Sequence, residues 1–211
     1  MGGKMESLNL QSPTIIQVVG IPGAGKSFFA KQFAGTLGIS IVSIDKIRWT
    51  LFAHHTYSEN ENLMVKQVSD LLVTELLKTQ KSFVLDGGYN EEVDREEIAK
   101  RAQKAGFRIL TVVVQTDEPT AKRRATKRNA RTAGDRHKQS MSSDEFKAQV
   151  KQFDVPTSSS QNKVVISGKH TYSTQARTVL KKILEMKNAP LTSKQALRPT
   201  PVLRNRGPFI Q

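Results

Sequence analysis

Apolar and polar positions follow two rhythms along this chain. Short, nearly continuous apolar runs rich in β-branched residues occupy residues 14–19, 39–44, 83–85, 108–115 and 163–166, and runs of that length predict five buried strands. Between them apolar positions recur at helical spacing over residues 26–37, 59–79 and 91–105, then 118 to about 131, 143–153 and 173–186. Strand and helix alternate throughout. Such alternation predicts an α/β fold with a mostly parallel sheet covered by helices on both faces. Two helix starts carry chemical signals: Asn90 stands before Glu91-Glu92 as an N-cap, and Asp117-Glu118-Pro119 puts proline in the first turn.

Where the rhythm stops, other properties take over. Residues 130–142 are polar and basic, residues 157–162 form a Ser-rich connector, and residues 188–211 hold four of the chain's eight prolines with little periodicity. One domain over residues 13–187 is expected, between a disordered N-terminus (1–12) and a disordered, Pro-rich basic tail (188–211). No apolar run approaches the roughly 18 residues that a membrane helix needs, so no membrane partner is expected. The chain has no cysteine, which excludes thiolate metal sites and thiol nucleophiles and points to a cytoplasmic, reducing setting. Its formal net charge of +14 is unevenly spread: residues 121–138 carry eight Lys or Arg against Asp135 alone, half the excess. A polyanionic partner, nucleotide or nucleic acid, follows from that charge.

The most specific motif is Gly20-Ile-Pro-Gly-Ala-Gly25-Lys26-Ser27, which matches G-x-x-x-x-G-K-[ST] at every fixed position, after a predicted strand and at the start of a predicted helix. Glycines let successive backbone N–H groups turn toward phosphate oxygens, and the helix that follows adds its positive end. Gly20, Gly23, Ala24, Gly25, Lys26, Ser27 and Phe28 are the expected cradle, Lys26 reaching the β- and γ-phosphates and Ser27 a Mg²⁺ ion. The ligands are then ATP and Mg²⁺. The fold narrows to a P-loop NTPase three-layer sandwich.

The residues after the second and third strands bear on whether the phosphate is hydrolysed or transferred. Asp45 and Arg48 follow the second apolar run three residues apart, at the end of the sheet where ligands bind such folds. A carboxylate there can take the proton of an attacking hydroxyl, while the arginine holds the acceptor or the migrating phosphoryl group. Read plainly, the same pair is a helix N-cap acid and an exposed arginine. Asp86 ends the third run and is placed to reach Mg²⁺. Its neighbour is Gly87, not a glutamate that could prepare water, and that favours transfer over hydrolysis.

The basic segment supplies the remaining candidates. On one continuous helix Arg124, Lys127, Arg128 and Arg131 would share about a 100° arc, since their offsets are 0, 3, 4 and 7. Like charges at that spacing are slightly unfavourable unless anions face them. Arg124 and Arg128 are therefore expected to bind the nucleotide, with Arg128 acting on the γ-phosphate and the polar loop after it closing as a basic lid.

With these motifs in hand, GIPGAGKS, SIDKIR, VLDGGYN and AKRRATKRNAR resemble the kinase domain of polynucleotide kinases and the wider P-loop kinase group with zeta-toxin-like and gluconate-kinase-like members, over roughly residues 14–186. The resemblance implies Asp45 as general base, Arg48 as the arginine that contacts the acceptor, and Arg128 or a near neighbour as the lid arginine. The chain departs from the family in two places. Asp86-Gly87-Gly88, with Asn90 later, stands where Asp-Thr-Asn is frequent, and Arg95 falls slightly beyond the usual arginine.

Other chemistry is poorly supported. His54 and His55 are adjacent, so one helix face cannot present both to a metal. Trp49 and Phe52 could stack on a base or sugar, with core packing the plainer expectation. Together these features lead to an ATP-dependent kinase that transfers the γ-phosphoryl group to a hydroxyl on a nucleic-acid 5′ end, a nucleoside-like compound or another small molecule. The rival is an NTP-dependent, nucleic-acid-binding ATPase module with no phosphoryl acceptor.

Overall fold

The computed structural model describes residues 12–54, 56–128, 137, 139–156 and 162–188. Five strands, β1 (Thr14–Val19), β2 (Ser40–Ser43), β3 (Phe83–Asp86), β4 (Arg108–Gln115) and β5 (Lys163–Ser167), form one sheet in the order β2-β3-β1-β4-β5. Every pairing is parallel. Parallel neighbours need crossovers, which are supplied by α1 (Lys26–Leu37), α2 (Ile44–Leu51), α3 (Glu59–Lys78), α4 (Glu92–Lys104), α5 (Glu118–Thr126) and α6 (Ser143–Lys151), with α7 (Tyr172–Asn188) after β5.

The two-residue period of the strands separates two cores. Ile16, Val18, Leu110, Val112 and Val114 pack with Phe29 and Phe33 of α1 and Val179 and Ile183 of α7. Ile15, Val19, Phe83, Leu85 and Val113 pack on the other face with Ile47, Val65, Val73 and Ile98 of α2, α3 and α4. This is the three-layer arrangement expected from the alternation. A smaller cluster of Ala121, Ala125 and Phe146 joins α5 to α6, and Ser142 with Glu145 closes a capping box at the start of α6.

The strand order places the chemistry. The chain leaves β1 for β2 at one edge, returns to β3 between them, then crosses β1 to β4 and β5. Parallel α/β sheets bind ligands where the order reverses, at the carboxyl ends of the strands. In register there, Asp86 lies opposite both Val18 of β1 and Ser43 of β2.

Three local expectations are corrected. The basic helix expected to reach about residue 131 ends at Thr126, with Lys127 as its C-cap at φ −108° and ψ 34°, so Lys127 and Arg128 leave the helical row. Arg131 lies outside the described residues. Helix α4 takes Glu91, not Asn90, as its N-cap, and the backbone N–H of Glu92 donates instead to the Asp154 carboxylate at 3.1 Å. Helix α2 has no counterpart among the expected helices, because Ile44 continues directly from the strand and eight residues are too few for a periodic signal. The expected N-terminal segment (1–12) and tail (188–211) lie outside the described residues apart from Ser12 and Asn188, the latter closing α7. Among the described residues no helix is long and apolar enough to cross a membrane.

Candidate nucleotide and phosphoryl-transfer site

The glycine-rich loop sits between β1 and α1, pressed against two neighbours. A Cβ on Gly23, at φ +77°, would lie 2.0 Å from the Ala121 carbonyl oxygen, so only glycine allows the loop to meet α5 this closely. Across the loop, a Cβ on Gly168 would lie 1.9 Å from the Ala24 carbonyl oxygen, and Thr116 Oγ1 donates to that same oxygen at 3.0 Å. Ala24 is fully buried, and the buried Gly20 opens the turn at the end of β1. Lys26 Nζ donates to the Gly20 carbonyl at 2.6 Å and to the Ile21 carbonyl at 3.0 Å. The ammonium group therefore lies over the loop, as a phosphate-binding lysine must.

Ser27 is buried, and its hydroxyl donates to Asp86 Oδ1 at 2.9 Å while Ser43 donates to Oδ2 at 3.0 Å. Asp86 is thus oriented by one hydroxyl from α1 and one from β2, the consequence of its central register position. A serine hydroxyl beside one buried carboxylate is a hard-oxygen donor set that suits Mg²⁺, which keeps several waters and takes few protein ligands. Among the described residues no cluster of three or more His, Asp or Glu could hold a metal by itself. Ser27 and Asp86 fit the ion, and Ser43 supports them.

A cleft of about 480 Å³ opens beside the loop, lined by Gly23, Gly25, Lys26, Ser27 and Phe28 on one side and Arg124, Lys127 and Arg128 on another. Among the described residues, four cations and no carboxylate line it. Arg124 Nη1 donates to the Gly168 carbonyl at 3.1 Å, and Arg128 Nη1 donates to the Gln139 carbonyl at 3.0 Å. Arg124, Lys127 and Arg128 line this one cleft, brought there by a helix end and not by the expected helical stripe. Phe28 is half exposed at its edge.

The connection from β5 to α7 was not among the expected site residues, yet Gly168, His170 and Gln175 line the same cleft. Lys169 pairs with the Asp117 carboxylate, which also caps α5 through the Thr120 N–H at 3.0 Å. Hydrogen bonds from Lys169 and Thr120 hold the Asp117 carboxyl well below the usual carboxylate range. The Gly168 position after a strand was the one available sequence signal. It lacked the fixed spacing that marks the first loop.

Asp45 lies in the first turn of α2, half-buried, one turn before Arg48. Ser43 occupies the N-cap position, so the plain reading of Asp45 as a cap is corrected, and so is that of an exposed Arg48, which is 7% exposed. Arg48 Nη1 donates to Glu61 Oε1 at 2.5 Å and Nη2 to Asn62 Oδ1 at 2.8 Å, and its guanidinium lies 4.6 Å from the Tyr57 ring centre. Glu61 Oε2 accepts from the backbone N–H groups of Thr56 and Tyr57 at 2.7 and 3.0 Å. Burial opposes ionisation of Glu61, but hydrogen bonds from Arg48 and Thr56 outweigh it and hold the carboxyl down at about 2. The sequence carried a trace of this: Ser58-Glu-Asn-Glu61 is a capping-box pattern, and Ser58 does accept from the Glu61 N–H at 3.3 Å.

Beside this cluster, Ile44, Arg48, Asn62, Gly88 and Tyr89 wall a cavity of about 190 Å³ that also meets Lys66, Asp70, Asp94, Glu97 and Arg101. Its charges are balanced, unlike those of the cationic cleft. Arg95 is buried and donates to the Tyr89 and Asn90 carbonyls at 3.2 and 2.6 Å, so it shapes the loop after β3. Burial pulls its guanidinium pKa down. Trp49 is half exposed and lies against the His137 ring at 5.7 Å, which corrects the core-packing expectation. Phe52 packs on the α2–α4 core. His54 is exposed, and His55 lies outside the described residues.

Comparison with known proteins finds the same fold in other chains. The chain is similar to a gluconokinase from Sinorhizobium meliloti 1021 (15% identity, TM-score 0.59, covering 82% of this chain and 93% of that one). It is also similar to Chaetomium thermophilum Kti12 solved with ADP-AlF3 (17%, 0.61, 81% and 97%). A chain of the Pnkp1/Rnl/Hen1 RNA repair complex matches at 21% and 0.57, over 67% of this chain and 44% of that one. At such identities the likeness is one of fold, that of P-loop kinases and their nucleotide-binding relatives. None of the curated proteins matches the chain. The sequence profile described as "AAA domain" matches residues 15–156, from β1 through the loop, Asp45, Asp86 and the basic segment, and the chain belongs to that family of P-loop kinase-like proteins.

Proposed function

We propose that the protein is an ATP- and Mg²⁺-dependent kinase that transfers the γ-phosphoryl group to a hydroxyl. The observation that carries this reading is the cationic cleft formed by Lys26, Ser27, Arg124, Lys127 and Arg128 beside a buried Asp86 already oriented by two hydroxyls. Backbone N–H groups of the loop hold the phosphates, and Lys26 neutralises the β,γ charge. Ser27 and Asp86 would hold Mg²⁺, which when bound supplies further charge neutralisation at the β- and γ-oxygens. Arg128, with Arg124 and Lys127 beside it, stabilises the charge that spreads over the equatorial oxygens during transfer.

Asp45 is the proposed general base. The acceptor hydroxyl oxygen forms a bond to the γ-phosphorus as the bond to the β,γ-bridging oxygen breaks, ADP leaves with that electron pair, and the hydroxyl proton passes to the Asp45 carboxylate. Arg48 forms the cationic edge of the acceptor side, held rigid by Glu61 and Asn62. The acceptor classes are a nucleic-acid 5′-hydroxyl, supported by the net charge and the Asp-x-x-Arg spacing, and small nucleoside-like or sugar hydroxyls.

The test is Asp45→Asn with γ-labelled ATP against oligonucleotides, nucleosides and sugars. The amide keeps the shape and the hydrogen bond but cannot usefully take a proton at neutral pH. ATP affinity should barely change while single-turnover transfer falls about 10²- to 10⁴-fold. Near-normal transfer would remove Asp45 from the chemistry. Absence of transfer to any acceptor, with ATP still bound, would leave the ATPase module as the better reading.

A further inference from the structure

Helix α3, 20 residues long, carries an apolar band on its outer side. Leu63, Met64, Leu71 and Leu72 are between 41% and 60% exposed, although large apolar side chains on a surface helix ordinarily turn toward the core. The inward row is already filled: Val65, Ser69 and Val73 are buried, and Val65 and Val73 belong to the core beneath α3. One flank is taken by α4, where Lys66 reaches Asp94 and Glu97, and Asp70 pairs with Arg101. The band therefore lies on the face of α3 that these contacts leave to solvent.

Helical spacing orders the band. Met64 and Leu71 are seven residues apart, so they lie within about 20° of each other around the helix and form one seam. Leu63 and Leu72 lie about 90° to either side of it, and Gln67 about 50° to one side. Charge is missing from this face: Asn60, Leu63, Met64, Gln67, Leu71 and Leu72 are exposed and uncharged, in a chain of which 25% is charged. Exposed apolar side chains with charge depleted around them are the mark of an interface core.

The face is also its own complement. Met64 and Leu71 stand equally far from the midpoint between Gln67 and Val68. In an antiparallel pair of α3 helices with a two-fold axis at that midpoint, Met64 meets Leu71 of the second copy, and Leu71 meets its Met64. Asn60 is then level with Glu75 of the second copy, an amide beside a carboxylate.

We propose that α3 is a homodimerisation surface: two copies of this chain pair α3 against α3, antiparallel, along the seam of Met64 and Leu71. A second copy is the occupant because the face matches itself under a two-fold rotation. The helix is about 30 Å long, so pairing through this one element gives a weak dimer, with Kd on the order of micromolar. No residue of α3 lines the cationic cleft, and the surface stands independently of how that cleft is read.

The experiment is sedimentation equilibrium on the full chain from about 1 µM to about 200 µM, a range that brackets such an affinity. The wild type should pass from monomer to dimer as concentration rises. Leu71→Glu and Met64→Glu should each weaken dimerisation about 100-fold, the scale of losing a central interface residue. Both should melt close to the wild type, because both side chains are exposed in the monomer. Geometry has its own test, since the chain has no cysteine. Gln67→Cys sets a single thiol beside the axis, near its own copy, and air oxidation should link it into a disulfide dimer. Lys100→Cys, on the exposed face of α4, should stay unlinked under the same treatment. A wild type that remains monomeric over the whole range would overturn the proposal without reference to any variant. A dimer that persists unchanged in both glutamate variants, or that links as readily through Lys100→Cys, would overturn it by placing the interface elsewhere. Failure of Gln67→Cys to link while the wild type dimerises would overturn the antiparallel register.

Discussion

Arg48 and Glu61, 13 residues apart and on different helices, meet at 2.5 Å with both side chains buried. The pair fixes α2 against α3 and so sets where Asp45, one turn before Arg48, stands relative to the end of the sheet. Glu61 gathers two further backbone donors from the Thr56-Tyr57 turn. Removing its charge leaves a buried cation without its counter-ion, which is costly. Glu61→Gln should destabilise the fold by about 3 kcal/mol in denaturant unfolding. A variant as stable as the wild type would show that the pair contributes only positioning.

The same pair predicts an acid response. The folded carboxyl is held at about 2 against an ordinary value of 4.5, so the unfolded chain binds the proton first as pH falls. Its contribution is fully present above about pH 5 and is lost progressively toward pH 2. Denaturant midpoints at pH 7, 4 and 3 should converge between the wild type and Glu61→Gln as pH falls. Parallel curves would place the acid sensitivity elsewhere.

Lys26→Ala tests the cradle. The loop keeps its backbone donors but loses the ammonium group that bonds to its Gly20 and Ile21 carbonyls. ATP·Mg binding measured by calorimetry, or turnover, should be abolished or greatly weakened while the thermal melt changes little. Unchanged affinity together with unchanged turnover would remove the loop from the site.

Gly168→Ala tests the contact between the two walls of the cleft. The added methyl would fall 1.9 Å from the Ala24 carbonyl oxygen and 2.3 Å from Thr116 Oγ1. Backbone must move, at a cost of about 1–3 kcal/mol and a fall in Tm of about 3 °C or more. Nucleotide binding should weaken as well, because the atom displaced belongs to the cradle. A loss of stability with full nucleotide affinity would show that the β5–α7 connection moves and the loop stays.

Fluorescence titration with single-stranded oligonucleotide at several salt concentrations tests the polyanion expectation. Affinity should fall steeply with salt if the basic segment contacts phosphates. No binding even at low salt would direct the acceptor search to small molecules.

Much of the architecture is written locally in this chain. The β-branched runs specify five strands, most plainly β1, β3 and β4, which are buried along most of their length. The Gly25-Lys26-Ser27 ending specifies the cradle because its chemistry is carried by the backbone and by residues adjacent in sequence. Asp86 could be placed for a related reason: it ends a strand, and strand ends in this fold gather at the ligand. Tertiary structure decided the rest. Whether Arg48 points to solvent or into the protein depends on Glu61, 13 positions away on a helix whose docking no local pattern encodes. The basic row was misread because helical spacing describes where side chains would lie if the helix continued, and this one stops at Thr126. Gln175 and Gly168 reach the cleft only because β5 lies next to β4, which carries their connection up to the cradle formed some 140 residues earlier. That is a property of strand order, and strand order is set by how all the apolar faces pack at once.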